Sequence, residues 1–225
     1  MSVALLVLTL NEIDGMKKIM PKIDKKLADE IVIVDGGSTD GTIDEAKKMG
    51  FKVIPQKIQG HAGAIIAGVE ATNSDIIVIF GPDGNHYPEE IPQLIEKINE
   101  GYDQVVISRF GKGSVNLDAT IIENFGNRMF AFLTNVLFGG HFTDSLNESR
   151  AITRQAFIDL KFDAQGMNST EQMSIRGIKK RQKIVEIVGN EGKRLGGKKK
   201  MKAMQVGANL SAHIIKEFIF WQSEK

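Results

Sequence analysis

The sequence contains no cysteine, which removes disulfides, thiolate metal sites and cysteine nucleophiles from consideration. It also has no excess of one charge: 29 Lys and Arg stand against 28 Asp and Glu, a formal net charge of +1. A whole-molecule electrostatic grip on nucleic acid is therefore not expected, and only a local basic patch remains open. Long hydrophobic runs are missing as well. The apolar run at residues 3–8 is too short for a secretory core and has no basic lead-in, and no stretch approaches the roughly 18 apolar residues that cross a bilayer. The expectation from these absences is a cytoplasmic protein. What is present is globular: 42% hydrophobic and 25% charged residues over 225 positions, an ordinary size for one α/β domain.

Short apolar runs alternate with longer amphipathic segments. Residues 3–8, 31–35, 52–54, 76–80 and 104–108 are brief and rich in β-branched side chains, and read as strands. Several are apolar at successive positions, the pattern of strands covered on both faces in a parallel sheet. Between them lie helical patterns at 13–28 (interrupted by Pro21), 42–49, 62–71 and 89–99. This β-α alternation predicts a single α/β domain with a mostly parallel sheet and right-handed crossovers. After Arg109 the rhythm changes to a loop at 111–118, a long helix at 121–138, a Gly-Gly turn, helices near 154–160 and 170–180, and strand character again at 183–188. The expected division is a domain over 1–202 followed by an amphipathic helix in 203–225. That helix either packs on the domain, forms a homodimer contact, or lies at a membrane surface with Phe218, Phe220 and Trp221 at headgroup level.

Ligands of open α/β sheets bind outside the carboxyl ends of the strands, so chemistry is sought there first. The first strand runs into Thr9-Leu10-Asn11-Glu12, the second into Asp35 and Gly36-Gly37-Ser38-Thr39-Asp40-Gly41. The fourth runs into Gly81-Pro82-Asp83-Gly84-Asn85, and the fifth ends at Ser108-Arg109. Each segment alone also reads as a turn or a helix cap. Their arrival at the same end of consecutive strands is what points to a site. Neither the dinucleotide fingerprint nor the phosphate-loop pattern is present.

These segments, together with Gly60-His61-Ala62-Gly63, Pro88-Glu89, Asp144-Ser145 through Arg150, Glu171 and Arg194 to Lys200, resemble family 2 glycosyltransferases of GT-A fold. Within that family the resemblance is to dolichyl- or polyprenyl-phosphate sugar synthases, and it runs in order from about residue 3 to 201. It implies that Thr9, Asn11, Glu12 and Asp35 line a nucleotide-sugar pocket, with Gly63 letting backbone approach the donor. Asp83 takes the place of the second acid of the family's Asp-x-Asp, with Asn85 two residues on, and the two are the expected ligands of Mg²⁺ or Mn²⁺. Two positions depart from the pattern: the first acid of Asp-x-Asp is Gly81, and the second of Val-Asp-Asp-Gly-Ser is Gly36. Mg²⁺ often takes only one or two carboxylates beside phosphate oxygens and water, so a site without the first acid is expected to be weaker rather than absent.

For a polyprenyl-phosphate acceptor, cations matter more than a base, because a phosphate with a second pKa near 6 is largely anionic at neutral pH. Arg109, Arg150, Arg194 and Lys200 are the candidates for phosphate contacts, with ordinary salt bridges the alternative for Arg109 and Arg150. The basic stretch 193–202, with Gly192, Gly196 and Gly197, is expected to be a mobile phosphate-gripping loop that also attracts an anionic membrane surface. Glu171 is the candidate base for a hydroxyl acceptor, and Asp144 either orients the acceptor or caps a turn. His61, His86, His141 and His213 are scattered along the chain and are expected to be structural. Three functions remain in view: transfer to a lipid phosphate, transfer to a hydroxyl, and nucleotide-sugar binding without turnover, the last prompted by Gly81 and Gly36. A nucleotidyltransferase is disfavoured because Thr-Leu-Asn-Glu stands where its phosphate loop would be.

Overall fold

The computed structural model describes residues 1–196 and 203–220; Lys200 and Trp221 lie outside the described residues. Seven strands form one sheet: β1 (Val3–Thr9), β2 (Glu30–Asp35), β3 (Lys52–Pro55), β4 (Ile76–Phe80), β5 (Gln104–Ser108), β6 (Arg150–Thr153) and β7 (Ile184–Val188). Their order is β3-β2-β1-β4-β6-β5-β7, and every pairing is parallel except the two made by β6. The order reverses direction between β1 and β4, which opens a crevice outside their carboxyl ends. The sequence predicts β4 and β5 as consecutive strands. The structure separates them by antiparallel β6, a four-residue strand that opens on a buried arginine and carries no alternating pattern.

Alternate residues of the central strands feed two cores. Leu5, Val7, Ile33, Val78 and Phe80 meet α1 (Ile13–Lys18) and α4 (Ile91–Asn99), while Leu6, Val32, Val34, Ile77 and Ile79 meet α3 (His61–Glu70) and α6 (Arg154–Asp159). The uninterrupted apolar strands of the sequence are therefore covered on both faces. α2 (Thr42–Lys48) follows the β2 loop. The long helix expected over 13–28 stops at Lys18 and continues as two 3₁₀ turns, Met20–Lys22 and Lys25–Leu27. Pro21 has no N–H and its ring clashes with the preceding turn, so the α-helical ladder ends before it.

In the second half, α5 (Ile121–Phe138) starts on a Thr120–Glu123 capping box and ends on Gly139 in the left-handed conformation. It joins α7 (Ser169–Lys179) and α8 (Ala203–Ile219) around Phe130, Ile175, Leu210 and Ile214. α8 thus lies on the domain, held by the ion pair of Arg176 with Glu217 at 2.8 Å, both buried. No helix among the described residues is long and apolar enough to cross a membrane.

Candidate active site

At the carboxyl edge, the β1 and β2 loops are fastened together. Asp35 accepts from the Thr9 hydroxyl (2.9 Å), the Gly37 and Ser38 amides (2.8 and 2.7 Å) and the Ser38 hydroxyl (2.6 Å). Asn11 takes a left-handed backbone, which asparagine tolerates better than most residues. Its amide donates to Ser38 Oγ and its side-chain oxygen accepts from Thr39 N. A shallow cavity of about 210 Å³ lies beside this junction, lined by Asn11, Glu12, Ile13, Asp14, Asp40 and Gly196. It is smaller than the roughly 300–1,000 Å³ of most small-molecule sites, and Gly196, from chain beyond the last strand, forms part of its wall.

That chain is residues 189–196, which follow β7. Gly192 N donates to Asn85 O and Leu195 N to Asp83 O, so this strap runs along the β4 loop. It carries Arg194 into the β1–β4 crevice, where the guanidinium stands 2.6 Å from Asp83 Oδ2 and 3.7 Å from Glu12 Oε1. Asp83 is buried, and its Oδ1 accepts from Asn85 N at 3.0 Å. Burial pushes the Asp83 carboxyl up; His86 and Arg194 pull it down, Glu148 pushes it further up, and the net direction is upward. Asn85 donates to Asp118 and Glu191, while its Oδ1 is buried without a hydrogen-bond partner among the described residues. Thr9, Asn11, Glu12, Asp35, Asp83, Asn85 and Arg194 thus share one edge.

Other expected residues are held differently. Gly63 lies inside α3, where a Cβ would stand 1.8 Å from the Ile58 carbonyl oxygen; its bareness serves helix–loop packing, not approach of a donor. Arg109 forks onto Asp144 (2.6 and 3.0 Å) and reaches Glu191 at 3.1 Å, so it is a salt-bridge residue. Burial alone would lower its pKa, but Asp144 and Glu191 raise it above the ordinary arginine value. Asp144 is fully buried as that counter-ion, which corrects its placement against an acceptor. Arg150 is also fully buried and donates to the carbonyls of Ser145, Asn147 and Thr170; burial lowers its pKa to about 10, leaving it charged at neutral pH. A phosphate cannot reach it in this arrangement. Glu171 is buried in α7 beneath Thr134 and Ser145, and burial raises its pKa to about 7.

The sequence reading missed Glu148, which the structure sets between His61 and His86. β6 runs antiparallel, so the segment entering it arrives at the same edge that the parallel strands leave. Glu148 Oε2 lies 2.7 Å from His61 Nε2, and its Oε1 lies 3.5 Å from His86 Nδ1. Burial acts upward on Glu148, but His61 first, then His86 and Arg194, hold it well below the usual carboxylate range. No signal local to the sequence marks this group, since it depends on how β6 pairs with β4.

A mostly parallel sheet whose carboxyl edge gathers acids and an arginine-bearing strap is the architecture of the GT-A glycosyltransferases. The chain belongs to glycosyl transferase family 2, whose profile matches residues 6–161. A dolichyl-phosphate hexose transferase of Haloferax volcanii is 30% identical over 92% of this chain and 90% of that protein. Glycosyltransferase AglJ of the same organism is 28% identical over 79% of this chain, which spans 60% of the length of that relative. Among solved structures, glucosyl-3-phosphoglycerate synthase of Mycobacterium tuberculosis, in complex with Mn²⁺, UDP and glucosyl-3-phosphoglycerate, superposes with a TM-score of 0.74. It is 21% identical and the match covers 96% of this chain and 79% of that one, a likeness of fold.

Proposed function

We propose that this transferase moves a hexose from a UDP- or GDP-sugar to a polyprenyl phosphate, with Mg²⁺ or Mn²⁺ at Asp83. One observation carries the reading: Asp83 and Glu12, from the two strands flanking the sheet's reversal point, converge on Arg194 from the strap. That crevice joins an acid suited to a divalent ion with a guanidinium suited to a diphosphate. The donor set fits such an ion, since the buried Asn85 oxygen is unsatisfied and Asp83 lies two residues away. Asp83 and Asn85 are the residues to hold it, and it would supply positive charge to a departing nucleoside diphosphate.

In the structure Arg194 covers Asp83. With a divalent ion at Asp83 and a diphosphate beside it, the Arg194 guanidinium would be free to make bidentate contacts to phosphate oxygens. Thr9 and the Asn11 backbone hold the Asp35 loop in place for the nucleoside. The acceptor assignment draws support from the hexose transferase named above, and from the exposed apolar side chains of α5 and α8. A hydroxyl acceptor would need a base, and Glu171 is sealed beneath Thr134 and Ser145.

The test is a thermal-shift panel of UDP- and GDP-sugars with and without Mg²⁺ or Mn²⁺. Donor binding raises the melting temperature with occupancy, and the rise should need the metal. Absence of any shift with every donor rejects the reading. With a donor found, transfer to polyprenyl phosphate but not to the unphosphorylated polyprenol is the expected acceptor result.

A further inference from the structure

The position where the family pattern puts the first acid of Asp-x-Asp is Gly81, and the sheet register fills that place from another strand. β4 and β6 pair with Ile77 opposite Ile152 and Ile79 opposite Arg150. Carried on by two residues, the same register sets Glu148 opposite Gly81. Directly opposed residues have Cβ positions about 4.5–5.5 Å apart, so a long side chain at 148 reaches across a bare residue 81. It does so here: a Cβ built on Gly81 would stand 2.4 Å from Glu148 Oε1. A side chain at 81 and Glu148 in its observed position exclude each other.

The Glu148 carboxylate is also placed to share Asp83's surroundings. Glu148 Oε1 and Asp83 Oδ1 stand 3.5 and 3.9 Å from the same nitrogen, His86 Nδ1. The Glu148 side chain keeps 26% of its surface exposed, so a ligand can reach it. Among the described residues no group of three or more His, Asp or Glu side chains is arranged to hold a metal alone. Two carboxylates completed by diphosphate oxygens and water, with the unsatisfied Asn85 oxygen nearby, match the usual habit of Mg²⁺ sites at phosphates.

We propose that Glu148 supplies the second carboxylate of the metal–diphosphate site, replacing from β6 the acid that β4 lacks at Gly81. The inference rests on the donor reading above and accounts for how a chain with Gly81 retains a two-acid site. His61 is the resting partner that Glu148 gives up, as Arg194 is for Asp83.

The test is Mn²⁺ binding to the full chain by isothermal titration calorimetry, at saturating UDP or GDP, whichever the thermal panel selects. Glu148→Gln keeps the side-chain shape and should weaken Mn²⁺ binding by about tenfold or more. Gly81→Asp alone should melt lower than wild type, because its Cβ displaces the Glu148 carboxylate from His61 and its own carboxylate adds like charge beside Asp83 and Glu148. Gly81→Asp combined with Glu148→Gly should recover both the melting temperature and most of the Mn²⁺ affinity. If Glu148→Gln binds Mn²⁺ like wild type while Asp83→Asn does not, the Glu148 assignment is wrong and the donor reading stands. The assignment also fails if the folded double variant stays as weak as Glu148→Gln. If the wild type binds nucleotide but no Mn²⁺, the two-carboxylate site falls with it.

Discussion

Glu171 lies inside α7 with one carboxylate oxygen under the Thr134 hydroxyl and the other under that of Ser145, 2.8 Å away. Burial raises its pKa from 4.5 to about 7. A carboxyl whose folded pKa lies above its unfolded one favours the fold when protonated. Its contribution is fullest below pH 4.5, declines as pH rises towards 7, and is flat beyond. For a fully buried group the decline is about 3 kcal/mol. Glu171→Gln is neutral at every pH, so its melting temperature relative to wild type should climb between pH 5 and pH 8. A constant gap would mean that Glu171 is not the group that titrates. The same variant separates the acceptor classes: transfer to a phosphate should persist, whereas a hydroxyl acceptor would lose its base. Nothing in the sequence distinguishes Glu171 as base from Glu171 as buried hydrogen-bond acceptor, because the hydroxyls that cover it come from residues 134 and 145.

At the scale of elements, strands and their ends were legible, and partnerships between distant elements were not. The strand runs at 3–8 and 76–80 are wholly apolar and that at 31–35 is apolar up to Asp35, so periodicity places them, and the sheet rule points to their carboxyl ends. Thr9, Asp35 and Asp83 follow from that logic, whereas Arg194 comes from the family resemblance. β6 was missed because Arg-Ala-Ile-Thr has neither length nor alternation, and with it went the position of Glu148. For Arg109 and Arg150 the sequence leaves phosphate contact and salt bridge both open, because it displays charge but not the counter-charge or carbonyls that absorb it. α8 illustrates the same point. Its Glu217 accepts from Arg176 Nε and from Gln172, both on α7, and all three side chains are buried. Removing Glu217 leaves the buried Arg176 with only the largely exposed Asp163 as carboxylate partner, at 2.7 Å, among the described residues, so Glu217→Ala should lower stability in urea by about 3 kcal/mol, the low end for a broken buried pair. Replacing both ions, as in Arg176→Met with Glu217→Leu, should lose less than that. A double variant as unstable as the single one would show that the pair does more than satisfy its own charges.

For the molecule as a whole, the exposed surface of α5 and α8 bears on the acceptor. Ile121, Phe125, Met129, Phe132 and Val136 recur at three- and four-residue spacing on α5 and are exposed, Ile121 at 88% and Phe125 at 70%. α8 crosses beside them, with Phe138 of α5 against Phe218 at 6.0 Å and with Ile215, Phe218 and Ile219 exposed. Apolar side chains exposed in a contiguous stripe mark an interaction surface rather than ordinary scatter. A polyprenyl phosphate resides in a bilayer, and a helix lying in the interface reaches it with such a face. The occupant that agrees with the proposed acceptor is therefore lipid. Phe125→Glu with Phe132→Glu should abolish co-sedimentation with phosphatidylglycerol vesicles while leaving the nucleotide-sugar thermal shift unchanged. Transfer to a water-soluble short-chain prenyl phosphate should then survive better than transfer to a vesicle-borne acceptor. A wild type that ignores vesicles and runs as a dimer, which the same substitutions split, would assign this stripe to a second copy of the chain instead.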